Sequence, residues 1–476
     1  MELSQAKSSV RIRGMHGTSL LRITATCVAL ATVLSACVLA PAPSEPERMQ
    51  TLEGGSASHG PVAALKTKDG ADDPRLREVG VPLRIRTCVV QIETEVASGS
   101  LTGLFGDART GEHLAGYGVE TPWPTASVVK LFTAVAGLRV LGADYRFRTS
   151  VVEGKPGELF IVGGGDVTLT RAPSLSYYGS DASLSALSEQ AAKNTSPGLP
   201  LTIRADGTRY ADFPSWDPSW RSGSASLGFI APVTALQVDG DRDQPSVRLS
   251  PRSMNPESRA TIWFAEALRA AAPDRQVFVG EPGRAPSDGR VLATVESAPL
   301  EELVRIMLVD SDNSLAEVIA REIALAQNET NIGAAIAEGR GGMAGVSIRG
   351  GSGLSDSTTI PHEEIARLLI DINNDESLSV LKESLPVAGE TGSLRNRFST
   401  VSGELAGRIQ AKTGSIRGTR SLAGYLEADD GSELVFSLNA TGPGVDNSSR
   451  DDIDRLLAEV SRCGSNLAHW ESPDAK

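Results

Sequence analysis

The sequence predicts an α+β protein carrying a large inserted, mixed and strand-rich region. Three observations lead there. Strand-like runs stand near both ends, from Val89 to Phe105 and from Ile409 to Asn439. Amphipathic helical patterns fill the stretch from Pro299 to Ile372. Between about residues 146 and 290, short strands alternate with Gly, Pro, Asp and Ser clusters. Segregated runs of strands and helices, rather than strict alternation, point to α+β.

The amino-terminal segment reads as an export leader over residues 1–36. Lys7, Arg11, Arg13 and Arg22 make a basic start, and an uncharged, mostly apolar run follows from Ile23 to Ala36. That run has signal-peptide length and falls short of the ~20 apolar residues of a spanning helix. It ends in Leu34-Ser35-Ala36-Cys37. Small residues before a cysteine resemble a bacterial lipoprotein box, so Cys37 is a candidate for acylation and a lipid anchor; a plain secretory signal is the alternative. Residues 37–85 are rich in Pro, Ser, Gly and charge and read as a flexible tether.

Beyond the tether the elements follow in order. Leu101 to Phe105 forms a strand, and Asp107 to Gly111 a turn. A helix starts at Ser127 and places Leu131, Val135 and Leu138 on one face. Residues 146–294 form the inserted region, with a helical stretch near Trp263 to Ala271. Leu300, Leu303 and Met307 mark the next helix, and Leu315, Val318, Ile319 and Ile323 another after Ser311-Asp312-Asn313. Ile409 to Ile416 is a strand, and a hairpin turns at Asp429-Asp430-Gly431. The last helix aligns Ile453, Leu456, Leu457 and Val460 for packing on a sheet. The main domain is thus expected from 86–145 and 295–465, with a tail at 466–476.

Composition narrows the function classes. With 476 residues, 40% hydrophobic and 22% charged, the chain can bury a sizeable core. A net charge of −13 leaves no basic footprint for nucleic acid. Of the four cysteines, Cys27 lies in the leader and Cys37 at its end. Outside the cytoplasm the remaining two thiols usually pair, so a Cys88–Cys463 disulfide is expected, against two separate buried thiols. No zinc spacing occurs, and His362-Glu363-Glu364 lacks a second histidine, so no metal site is expected.

Three short motifs carry chemistry. Ser127-Val128-Val129-Lys130 puts an amine beside a hydroxyl one helical turn away. Alone it reads more readily as an N-cap serine and a surface lysine. Ser311-Asp312-Asn313 alone is an ordinary helix cap. Lys412-Thr413-Gly414 sits on a strand, where the cation suits a carboxylate and glycine permits close approach. Together, and in this order, they form the signature of penicillin-recognising enzymes.

In these motifs the chain resembles penicillin-binding D-alanyl-D-alanine carboxypeptidases/endopeptidases of the low-molecular-mass, large-insert type. Leu159 to Asp166, Ala231 to Asp239, Gly351 to Ser355, Leu385 to Gly389 and Gly414 to Tyr425 carry the resemblance further, over about residues 88–465. Val167, where the family usually has proline, and Ser415, where threonine is commoner, depart from it.

The resemblance implies a β-lactamase/transpeptidase-like antiparallel sheet flanked by helices. It implies that Ser127 attacks the D-alanyl-D-alanine carbonyl, Lys130 takes its proton and Ser311 relays one to the leaving amine. Asn313 would hold the substrate amide, Lys412 and Thr413 the terminal carboxylate, and the N–H groups of Ser127 and Ser415 the oxyanion. The expected partners are peptidoglycan stem peptides and, as covalent inhibitors, β-lactams; no cofactor is expected. A β-lactamase-like hydrolase and a catalytically idle wall-binding lipoprotein are the rival readings.

Overall fold

A computed structural model describes residues 86–91, 95–96, 99–398 and 403–471. The leader, Cys37 and the tether lie outside the described residues. The amino-terminal part gives β1 (Cys88–Gln91), β2 (Glu95–Val96), β3 (Gly99–Asp107), β4 (His113–Tyr117), β5 (Trp123–Pro124) and α1 (Lys130–Leu141). The middle gives β6 (Arg148–Glu153), β7 (Glu158–Val162), α2 (Leu184–Asn194), β8 (Leu201–Asp206), α3 (Pro256–Ala271), β9 (Val277–Val279) and β10 (Val291–Glu296). The remainder gives α4 (Leu300–Asp310), α5 (Asn313–Ala326), α6 (Ile332–Arg340), β11 (Thr359–Ile360), α7 (His362–Asn374) and α8 (Ser379–Glu383), then β12 (Ile409–Ile416), β13 (Thr419–Glu427), β14 (Glu433–Thr441), α9 (Ser449–Cys463) and β15 (Leu467–Glu471).

The main sheet runs β12-β13-β14-β3-β2, with β4 also on β3, and all its pairs are antiparallel. Its strands alternate faces with period two. On β13, Leu422 and Leu426 join the α9 side, where Ile453, Leu456, Leu457 and Val460 pack. Ala423 and Tyr425 join the opposite layer, built from α1, α4, α5 and α7. The α+β expectation holds.

The middle region builds its own five-stranded sheet, β10-β6-β7-β8-β9. It is mixed: β10 and β7 flank β6 antiparallel, while β7-β8 and β8-β9 are parallel. Helices α2 and α3 cover it through Leu184, Leu187, Phe264 and Leu268.

At the chain ends the structure departs from the sequence reading. The segment read as a tail from residue 466 carries β15, which pairs parallel with β1, placing Trp470 beside Val90. The Cys88–Cys463 disulfide is present beside this ribbon, with Cα atoms 5.6 Å apart.

Candidate active site

The turn before α1 is built under constraint. Ala126 is buried with φ +46°, in the left-handed region that costs a residue with a Cβ of order 1–3 kcal/mol. Ser127 lies in a 3₁₀ turn, Ala126–Val129, and the α-helix proper begins at Lys130. This corrects the expectation that the helix starts at Ser127. Two contacts hold the turn. Ser421 Oγ on β13 donates to Thr125 O at 2.8 Å. Gly353 lies so close that a Cβ there would stand 1.9 Å from Ala126 O.

Lys130 is fully buried, and its Nζ has three neighbours: Ser127 Oγ at 3.0 Å, Asn313 Oδ1 at 2.8 Å and Ser352 O at 2.6 Å. Burial pushes its pKa down to about 7, against the pull of Asp312 and Glu317, which favour the charged form. Asn313 Oδ1 and Ser352 O can only accept. A neutral amine therefore spends its two N–H groups on them and turns its lone pair to the Ser127 hydroxyl.

Ser311 and Asn313 reach the site because α4 and α5 meet at a tight corner. Ser311 ends α4 with φ +57°, and Asp312 caps α5 by accepting from Leu315 N. The capping role read from the sequence is thus real and falls to Asp312, while its two neighbours face the cleft. Asp312 Oδ2 accepts from Arg242 Nη2 at 3.0 Å and Tyr178 OH at 3.1 Å. Burial raises its pKa, but Arg242, Arg252 and the cap hold it below the ordinary range.

Lys412 is also fully buried; Nζ donates to Ser311 Oγ at 2.9 Å and Thr413 O at 3.1 Å. Burial first, then Lys130 and Arg248, push its pKa well down. Thr413 Oγ1 donates to Ser393 Oγ at 2.7 Å. Gly414 has a cause the sequence hid. A Cβ there would stand 2.0 Å from Ser421 Oγ and 2.6 Å from Thr125 O, so the protein's own packing demands glycine.

Ser127, Ser311, Asn313, Thr413 and Ser415 line one cavity of about 970 Å³. Arg221, Arg248, Arg417, Arg420 and Arg450 stand around it, a basic cleft in an acidic protein. Sequence reasoning missed Ser393, Phe229, whose carbonyl accepts from Asn313 Nδ2 at 3.0 Å, and Glu317 beneath Ser352. Only the Gly350-Gly351-Ser352-Gly353 run gave a local signal that backbone there approaches something closely. Among the described residues no group of His, Cys, Asp and Glu suits a metal ion.

Comparison with known proteins agrees with this geometry. The model of the D-Ala-D-Ala carboxypeptidase 3 (S13) family matches residues 89–251 and 236–461. Carboxypeptidase DacB of Mycolicibacterium smegmatis is 35% identical over 386 residues, 77% of this chain and 81% of that protein. Penicillin binding protein 4 of Haemophilus influenzae shares the fold at a TM-score of 0.64 and 19% identity, over 77% of this chain and 96% of its own. A second structure of that protein, complexed with a β-lactam, gives a TM-score of 0.60 at 18% identity, over 76% and 95%. Matched from residue 89 to residue 461, straight through its inserted region, and aligned with a curated relative over most of its length, the chain belongs to the D-Ala-D-Ala carboxypeptidase 3 (S13) family of serine peptidases.

Proposed function

We propose that this serine D-Ala-D-Ala carboxypeptidase works on peptidoglycan stem peptides through an acyl-enzyme on Ser127. The observation that carries the assignment is the 3.0 Å contact between Ser127 Oγ and an amine whose pKa stands at about 7. A hydroxyl is a weak nucleophile until a base takes its proton, and a general base works best when its pKa lies near the working pH.

In the first step Ser127 Oγ attacks the carbonyl of the penultimate D-alanine and its proton passes to Lys130 Nζ. The oxyanion is received by the N–H groups of Ser127 and Ser415. Collapse breaks the C–N bond, and Ser311 relays a proton to the departing amine. Water then cleaves the ester and regenerates Ser127. Asn313 steers the substrate amide, while Lys412 and Thr413 take the terminal carboxylate, with Gly414 leaving the strand free of a side chain. Among the described residues no carboxylate pairs with the buried Lys412, and substrate supplies one; the arginines around the cleft favour an anionic ligand.

A β-lactam presents the same kind of acyl target, strained in its ring, and stays on Ser127 because its leaving group remains tethered. For the cell, the leader and Cys37 support export with an acyl anchor outside the cytoplasm, the tether of 37–85 holding the enzyme off the membrane.

Labelled penicillin tests the reading. Wild type is expected to carry covalent label at one site, and Ser127→Ala none. Equal labelling of the two proteins refutes the assignment. Rapid turnover of nitrocefin, in place of slow release, would shift it to a β-lactamase.

A further inference from the structure

Helix α5 carries an acidic group, Glu317, one turn beyond Asn313. Glu317 is 1% exposed, and its carboxylate is occupied on both oxygens. Oε1 accepts from Ser352 Oγ at 2.6 Å and Ser352 N at 3.0 Å; Oε2 accepts from Arg321 Nη1 at 3.0 Å. The carbonyl of that same Ser352 lies 2.6 Å from Lys130 Nζ and 3.5 Å from Ser127 Oγ. Glu317 therefore grips, by N–H and hydroxyl, the residue whose carbonyl meets the amine of Lys130.

The turn holding Ser352 is pressed between two elements. A Cβ on Gly350 would stand 2.6 Å from Glu317 Oε1, and one on Gly351 2.4 Å from Ala316 O. Thr133 Oγ1, on α1, donates to Gly351 O at 2.9 Å. One face of α5 thus sets both carbonyl-type acceptors of Lys130: Asn313 directly, Ser352 through Glu317. We propose that Glu317 is a positioning residue for acylation, fixing the Ser352 carbonyl against Lys130 and, with Arg321, setting the electric field at that amine.

A bystander in the core would be served as well by an amide. What distinguishes Glu317 is charge near a titrating amine. The groups facing Lys130 are Ser352, Ser127 on its own turn, Asn313 and Glu317 on α5, Asp312 at the α4–α5 corner, and Lys412 on β12. Asp312 is already engaged by Arg242, whereas Glu317 answers to Arg321, itself 2% exposed with Nε unpartnered. Changing the pair alters the field without touching any group that meets substrate.

The inference rests on Lys130 being the base. Its test is the pH dependence of β-lactam acylation in full-length enzyme. Glu317→Gln removes a negative charge that favours protonated Lys130, so the acid limb is expected to move to lower pH by on the order of half a unit or more. Loss of positioning is expected to lower the plateau roughly tenfold. Arg321→Gln leaves Glu317 uncompensated and is expected to move the limb to higher pH. The neutral pair, Glu317→Gln with Arg321→Gln, lets one amide donate to the other and is expected to place the limb between those of the two single variants. Limbs that stay at the wild-type position, or that move together in the two single variants, overturn the proposal. So does failure of all three variants to fold, which would make the pair a requirement of folding. Absence of acylation in wild type would instead defeat the Ser127 and Lys130 assignment.

Discussion

At the residue scale, the site depends on keeping two amines out of water. Lysine ordinarily titrates near ~10.4, where it is useless as a base at neutral pH. Burial brings Lys130 to about 7, and Asp312 and Glu317 stop it falling further. The sign of the pH dependence follows. Below this pKa the amine holds its proton and cannot accept one from Ser127; above it the lone pair is free. Acylation by a β-lactam is expected to rise as pH passes through about 7, measured by stopped-flow over pH 5–9. Lys130→Arg keeps charge and length, yet a guanidinium does not deprotonate. That variant is expected to lose roughly 10²–10⁴ in acylation rate and to show no acid limb. The residues of this scale were legible in the sequence because each motif is short and its members lie within one turn or one strand. Ser352 and Glu317 were not, because their roles exist only once the turn around Gly351 folds onto α5.

At the element scale, the turn that holds Ser127 and strand β12 are clamped to each other through the neighbouring strand β13. Gly414 on β12 pairs with Ser421 on β13, and the Ser421 hydroxyl reaches past it to Thr125 O, just before the left-handed Ala126. Gly414→Ala is expected to abolish penicillin labelling, since its methyl would stand 2.0 Å from Ser421 Oγ. Adding Ser421→Ala is expected not to restore it, because Thr125 O remains 2.6 Å from the same methyl. Labelling that recovers in the double variant would show that the side chain, not the backbone approach, imposes the glycine. Strand β12 and the β13–β14 hairpin could be read from apolar pattern and turn chemistry. The parallel pairing of β1 with β15 could not: it joins opposite ends of the chain, and nothing local sets its register. The 3₁₀ turn at Ser127 escaped for a different reason, since its apolar spacing is that of the helix it precedes.

At the scale of the whole molecule, the middle region is tied to the Ser311-Asp312-Asn313 corner. Arg242 comes from that region, is fully buried, and lies 3.0 Å from Asp312 at the α4–α5 corner. Its guanidinium sits 4.6 Å from the ring centroids of both Tyr177 and Tyr178, and it also donates to Asp239 O at 3.0 Å. Tyr178 adds its hydroxyl to Asp312, and Phe229 takes a hydrogen bond from Asn313. The second motif therefore stands between the sheet domain and the middle region, and its geometry depends on both. Arg242→Met removes one partner of a buried pair and leaves Asp312 as an undercompensated charge, a change that costs about 3–5 kcal/mol in comparable settings. Ser311 and Asn313 are the chain neighbours of Asp312 at that corner, so acylation is expected to fall together with stability. Adding Asp312→Asn removes the stranded charge and is expected to recover part of the stability, a non-additivity that a double-mutant cycle in urea measures directly. Tyr178→Phe, which loses one hydrogen bond, gives a milder step of about 1 kcal/mol for an enzyme that still folds. Should the middle region of Arg242→Met melt in a separate transition while labelling of Ser127 proceeds at the wild-type rate, the coupling drawn here from the Arg242–Asp312 pair is wrong.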